Sequence, residues 1–279
     1  MNIGFPVQET IQQRYSVRTY DAKPVNETIR QDILNYAKTL TNPLGPHTRF
    51  QFIDVTTSDQ GQKLGTYGFI KGASLFLGST IPDEPGALEA LGYEYEQLIL
   101  YMTSLGLGTC WLGGTFNRSA FASAMEIREG DLFPILSPVG YPAAKKRIGE
   151  DFFRRALKAN QRKPWDKLFF AEDFSFPLTK EAAELYQYPL EMLRLAPSAV
   201  NNQPWRVLLK DGIYHFLLYR FTGESSSSID MQRIDLGIAI CHFHLAALEA
   251  GLTGHFEKLS LTADILPKNT SYIISWIPA

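Results

Sequence analysis

Two long stretches of the chain carry apolar residues at helical spacing, and shorter alternating or continuous apolar runs lie around them. Between Ala87 and Leu105 the positions Leu91, Tyr95, Leu98, Tyr101 and Met102 fall three or four residues apart and predict one long helix. A second predicted helix runs from Ile234 to Ala250. Shorter helices are expected over Val7 to Gln13, over Asn26 to Thr39 with Asn26 as the cap, near Arg118 to Met125, and over Thr179 to Leu195. Phe50 to Thr56 alternates like a strand, and Ala73 to Gly78 reads as a short buried run. Phe133 to Val139 is a further strand, closed by a turn at Gly140-Tyr141-Pro142. Trp205 to Lys210 and Ile213 to Tyr219 flank Asp211-Gly212 as a hairpin, and Ser271 to Trp276 ends the pattern as a last strand. Residues 143–168, rich in Lys and Arg, read as a connection, and Gly223 to Ser228 as a flexible loop. Helices mixed with hairpin-linked strands predict an α+β fold with mainly antiparallel sheets rather than a doubly wound parallel sheet.

The two long helices also align with each other. Leu91-Gly92-Tyr93 through Gly106-Leu107-Gly108 superposes on Leu236-Gly237-Ile238 through Gly251-Leu252-Thr253 at an offset of 145 residues. Each copy is an apolar helix ending at Gly-Leu, a common helix stop. The spacing predicts a tandem duplication with halves 1–155 and 156–279.

At 279 residues the chain is long enough for two domains or for one pseudo-symmetric unit built from two halves. A net charge of −2 argues against nucleic acid or an acidic membrane surface as the main partner. Cys110 and Cys241 are the two cysteines, both in apolar helical contexts where they pack as small hydrophobes, which suits a reducing compartment. The N-terminus lacks a basic segment followed by an apolar core, and no apolar run reaches the length of a membrane span, so a cytoplasmic protein is expected. Cys241, His242, His244 and His255 do not have metal-ligand spacing, and no metal is expected.

The candidate chemistry gathers in four clusters. Ala196-Pro197-Ser198-Ala199-Val200-Asn201-Asn202-Gln203-Pro204-Trp205 sets amides and a hydroxyl between two prolines. The prolines are expected to hold Ala196 and Gln203 extended. Asn and Gln amides donate and accept at once, which suits the edge of a heterocycle; the alternative is a capped turn closing the preceding helix. Its counterpart in the first half, Thr41 to Phe50, has lost the Ser, both Asn in register and the Trp. Arg14-Tyr15-Ser16-Val17-Arg18 places two guanidiniums four residues apart with a hydroxyl between them, a phosphate grip or a solvated surface. Gly106-Leu107-Gly108-Thr109-Cys110-Trp111-Leu112-Gly113-Gly114 lets backbone approach a flat ligand. It follows a helix rather than a strand and lacks the dinucleotide spacing. Gly140-Tyr141-Pro142-Ala143-Ala144-Lys145-Lys146-Arg147 ends on three basic residues, among which the sequence does not choose, and a solvated linker is its alternative.

These stretches resemble the nitroreductase family of FMN flavoproteins, in its tandem, single-chain pseudo-dimer form. The resemblance implies a nitroreductase-like fold in which each half supplies part of the cofactor site. FMN would be bound by Arg14, Tyr15, Ser16, Arg18, Gly108, Thr109, Lys145, Lys146 and Arg147 from the first half and by Pro197, Ser198, Asn201 and Gln203 from the second. It implies one surviving site rather than two, and a monomer that mimics a homodimer. The implied reaction passes hydride from NAD(P)H through the flavin to a small oxidised acceptor of nitroaromatic or quinone type, with no catalytic side-chain acid or base. A flavin-binding or storage protein without turnover, or a flavoenzyme of this fold with dehalogenating or dehydrogenating chemistry, is the alternative.

Overall fold

The computed structural model of the chain describes residues 3–55, 65–144, 161–221, 229–260 and 266–279. The first half runs α1 (Val7–Gln13), α2 (Glu27–Ala37), β1 (Arg49–Asp54), β2 (Leu75–Pro82), α3 (Ala87–Ser104), β3 (Gly108–Thr109), α4 (Arg118–Ser123), β4 (Asp131–Leu132) and β5 (Leu136–Gly140). Then follow β6 (Phe169–Ala171), β7 (Asp173–Pro177), α5 (Gln187–Arg194), β8 (Trp205–Lys210), β9 (Ile213–Tyr219), α6 (Met231–Glu249), β10 (Gly254–Glu257) and β11 (Thr270–Pro278). Asn26 accepts from the Ile29 N–H and Asp230 from the Gln232 N–H, so α2 and α6 each start on a side-chain cap.

The strands form two sheets. One has the order β1-β2-β5-β3, with β4 added to β2; the other has the order β10-β11-β9-β8-β6-β7. The path β8-β9-β11-β10 repeats β1-β2-β5-β3, with antiparallel neighbours throughout. Among the described strands, β6 alone pairs in parallel, Phe169 opposite Val207 at the outer edge of β8. The α+β class and the mainly antiparallel sheets agree with the sequence reading.

The long helices α3 and α6 are buried nearly all round. Their contact requires glycine at two points. A Cβ on Gly92 would stand 2.1 Å from the Ile234 carbonyl oxygen, and one on Gly237 would stand 2.0 Å from that of Glu89. Exchanging the halves at the 145-residue offset turns each contact into the other, as at an isologous two-fold interface. The helix ends match too. Gly106 and Gly251 both have positive φ, and Leu107 N–H and Leu252 N–H return to the carbonyls of Met102 and Ala247.

Two expectations need correction. The helix expected from Thr179 to Leu195 begins only at Gln187, because Glu184 has a φ of 48° and the chain before it is a turn leading into a 3-10 segment. Residues 161–168, expected as plain connection, are packed structure: Trp165–Lys167 forms a 3-10 turn, and Leu168 is fully buried. The Gly223 to Ser228 loop lies outside the described residues.

Candidate functional site

Three of the four clusters meet in the first half. Ser16 bridges Thr109, and Val17 N–H donates to the Thr109 carbonyl at 2.8 Å. A Cβ on Gly108 would lie 2.7 Å from a Val17 methyl, so glycine is what allows this approach. Gly108 pairs with Gly140 across β3 and β5, and Tyr20 bridges Pro142. The segment 14–20 is thereby set between the Gly-rich stretch and the Gly-Tyr-Pro stretch. Within the Gly-rich stretch, Cys110 N–H is bonded to Ser137 Oγ and Leu112 N–H to the Leu136 carbonyl. Tyr15 and Arg18 are half-buried, with Arg18 Nη1 3.4 Å from the Ser16 carbonyl. Lys145, Lys146 and Arg147 lie outside the described residues.

Arg14 leaves the end of α1 and turns inward until its side chain is 8% exposed. Its Nε lies 3.6 Å from Oε1 of Glu96, a carboxylate of α3 with no exposed surface. Its Nη1 is buried without a hydrogen-bond partner. An unpartnered guanidinium N–H away from water is costly, and an anionic group is the natural complement.

The fourth cluster follows α5. Ser198 is extended, and the chain then makes a 3-10 turn over Ala199–Asn201. Val200, Asn201 and Gln203 have φ values of 45°, 59° and 50°. Gln203 was expected to be extended before Pro204, and it is not. Its N–H donates to Ser198 Oγ at 2.8 Å, its Oε1 accepts from the Lys163 N–H at 2.7 Å, and its Nε2 reaches the Asn201 carbonyl at 3.2 Å. These bonds hold the left-handed backbone that Pro204 disfavours. Asn201 Nδ2 donates to the Gln161 carbonyl at 3.0 Å. Pro197 is half-buried at the head of the loop. The fused loop is fastened to α6 by one further bond, Ala199 N–H to Asp235 Oδ1 at 2.9 Å. Burial pushes the Asp235 carboxyl up to about 8, and its Oδ2 is buried without a partner.

Arg162 and Lys163 join the two groups of motifs, and the sequence reading missed both. Arg162 Nη2 donates to the Leu195 carbonyl at 2.9 Å, and its Nη1 lies 3.5 Å from Asn201 Oδ1. Burial lowers its pKa to about 10, with further lowering from the nearby charges of Arg14 and Arg194. Lys163 Nζ donates to the Asn202 carbonyl at 2.7 Å, and burial followed by Arg206 lowers its pKa to about 8. Arg14 from the first half and the Asn201 loop from the second thus converge on one basic cluster. The signal available in the sequence was Gln161-Arg162-Lys163-Pro164, a basic pair held ahead of a proline.

The remaining candidates have structural partners. Tyr93 OH meets His244 Nδ1, Tyr95 OH donates to the Leu77 carbonyl, and Tyr101 stacks on Tyr36. Burial lowers the His244 pKa to about 4, leaving a neutral imidazole at neutral pH. Two open grooves of about 380 and 510 Å³ run along α1 beside Gln8, Gln12 and Tyr188. None of the residues of the four clusters lines either groove.

A family model described as "Putative TM nitroreductase" matches residues 6–247. The structure of a putative nitroreductase from Thermotoga maritima is similar to the chain at 20% identity, over 98% of this chain and 94% of that one, with a TM-score of 0.61. A nitroreductase with bound FMN from Bacteroides fragilis is 20% identical over 52% of this chain and 93% of its own, with a TM-score of 0.42. A nitroreductase family protein from Clostridium difficile is 16% identical over 58% of this chain and 96% of its own, with a TM-score of 0.43. No curated protein matches the chain.

Proposed function

The chain belongs to the "Putative TM nitroreductase" family, and from that premise we propose that it is an FMN-dependent oxidoreductase with a single cofactor site built from both halves. The observation that carries the reading is the buried Nη1 of Arg14, which has no hydrogen-bond partner, together with the charge of Arg162, which is close enough to interact with Arg14 and bonds to the loop of the second half. Guanidiniums held in this way fit a phosphate monoester.

In this reading Arg14, Arg18 and Arg162 hold the phosphate, with one or more of Lys145, Lys146 and Arg147 adding positive charge. Tyr15, Ser16, Gly108 and Thr109 border the cofactor on the first-half side; Pro197, Ser198, Asn201 and Gln203 border it on the second. The amides of Asn201 and Gln203 are engaged within the loop and with residues 161–163, so their first contribution is to fix the loop's shape. Bound FMN supplies a two-electron carrier between NAD(P)H and a small oxidised acceptor, of nitroaromatic or quinone type. The protein's part is to bind, orient and place positive charge, and no side-chain acid or base is required of it. Three charge-assisted contacts of about 1.5 to 3 kcal/mol each would supply much of the roughly 8 kcal/mol of micromolar affinity.

We further propose that the chain arose by tandem duplication with halves near 1–155 and 156–279, and that it acts as a monomer. The test of function is an anaerobic titration of the FMN-loaded protein with NADH and with NADPH, followed by visible absorbance. Bleaching of the flavin bands, reversed by a nitroarene or quinone, is the expected result. A bound flavin that neither nucleotide reduces would make this a flavin-binding protein without turnover.

A further inference from the structure

Glu96 gathers more of the site than any single motif does. Its Oε1 accepts from His242 Nε2 at 2.9 Å and lies 3.6 Å from Arg14 Nε, while its Oε2 accepts from Trp111 Nε1 at 2.9 Å. One carboxylate of α3 therefore touches the Arg-x-Ser-x-Arg stretch, the aromatic of the Gly-rich stretch and the central helix of the other half. His242 extends the chain of contacts. Its Nδ1 lies 3.0 Å from the Met192 carbonyl, so both ring nitrogens face oxygen acceptors. Met192 sits near the end of α5, the helix that leads into the loop at 196–205.

The internal symmetry supplies a control. At the 145-residue offset Glu96 corresponds to Cys241, and His242 to Gln97. That mirror pair also meets, the Cys241 thiol against the Gln97 backbone, and Gln97 Nε2 donates to Tyr36 OH at 3.1 Å. The same position in the helix interface is thus filled once by a thiol and an amide and once by a carboxylate and an imidazole. Packing alone accepts the neutral pair. Burying a carboxylate demands compensating partners, and the charged version stands on the side where Arg14 enters.

We infer that Glu96 and His242 are positioning residues for Arg14. Glu96 pins the guanidinium at Nε and leaves Nη1 for the phosphate of FMN, and the bond from His242 to Met192 ties that grip to the helix that delivers the second half's loop. This inference rests on the FMN reading of the site.

The test compares FMN with riboflavin, which lacks the phosphate, by fluorescence titration of the full chain. Glu96→Gln keeps the side chain's shape and removes its charge. It is expected to weaken FMN at least about tenfold, equivalent to about 1.4 kcal/mol, and to change riboflavin affinity by less than about twofold. Combined with Arg14→Ala, it should add no further loss of FMN affinity, because it acts through Arg14. Gln97→Met, at the mirror position of His242, should leave both affinities as they are. Equal losses of FMN and riboflavin in Glu96→Gln would reduce Glu96 to a packing role and overturn the inference, as would unchanged FMN binding. Should thermal denaturation show Glu96→Gln unfolded, His242→Gln decides the matter, with at least about a threefold loss confined to FMN expected. A wild-type protein that binds neither flavin would instead overturn the FMN reading itself.

Discussion

The loops at 41–50 and 196–205 occupy matching places, each between a short helix and the first strand of the repeated sheet path, yet their polar groups are arranged differently. In the first, Glu94 of α3 accepts from Asn42 Nδ2, His47 Nδ1 and the Thr48 N–H within 2.8 Å. In the second, among the described residues, Asp235 of α6 accepts the Ala199 N–H alone, and its other oxygen is buried without a partner. The two carboxylates do not correspond in the repeat, since Glu94 aligns with Ala239 and Asp235 with Ala90. The first loop has closed on itself around a satisfied anion. The second is held by bonds among Ser198, Asn201 and Gln203 and to residues 161–163 rather than by bonds gathered on one carboxylate, and it borders Arg162 and Lys163. The helix pair shows how much symmetry is kept: glycines meet carbonyls reciprocally at its crossing, while the Glu96–His242 and Gln97–Cys241 contacts differ in charge. The helix crossing and the sheet paths match between the two halves, and the polar groups differ between them.

The largest effect should come from breaking what the halves share. Gly237→Ala and Gly92→Ala each drive a Cβ into a helix backbone, so both should destabilise by at least about 2 kcal/mol in denaturant unfolding, to similar extents. A large effect at one and none at the other would end the symmetric description of the interface. Next, Arg14→Ala and Arg18→Ala should each weaken FMN at least about tenfold by fluorescence titration, about 1.4 kcal/mol. The matching test on the other side is His47→Ala, which should leave FMN affinity within about twofold.

Asp235 sharpens the contrast between the loops through pH. Its folded pKa of about 8 stands above the ordinary value of 3.8, so between those limits the folded protein keeps a proton that the unfolded chain has released. Its contribution to stability is therefore largest at low pH and declines as pH rises through that window. Asp235→Asn keeps the acceptor for Ala199 and should flatten the decline, by no more than about 1.4 kcal/mol per pH unit, in unfolding curves from pH 4 to 8. The smallest effect belongs to stability in His47→Ala. The His47 side chain is 65% exposed, so losing its contact with Glu94 should cost less than about 1 kcal/mol in thermal or denaturant unfolding.

Long, strongly periodic elements were legible in the sequence because one physical signal dominated them. Helices α3 and α6, the hairpin of β8 and β9 and the Gly-Leu helix ends fall where periodicity and turn residues place them. Strands β6 and β7 were missed because Phe169-Phe170-Ala171 is too short to show a period, and its parallel pairing with β8 depends on contacts remote in sequence. The conformation of Gln203 was misread for a similar reason. A local rule about residues before proline was outweighed by bonds to Ser198 and Lys163. At the site, the Arg14 stretch and the Asn201 loop could be proposed from their residue types together with their resemblance to nitroreductase motifs. Arg162, Lys163, Glu96 and His242 could not, because their roles come from the helix crossing and the path of residues 161–168, which bring distant groups together.

The central claim, one cofactor site where the fold repeats twice, is tested most directly by the number of FMN molecules bound per chain at saturation. Equilibrium dialysis with flavin quantified against protein concentration should give one, and Arg14→Ala should remove it at the same free FMN concentration. Two FMN per chain would contradict the account, because the closed loop at 41–50 would then be serving a second site.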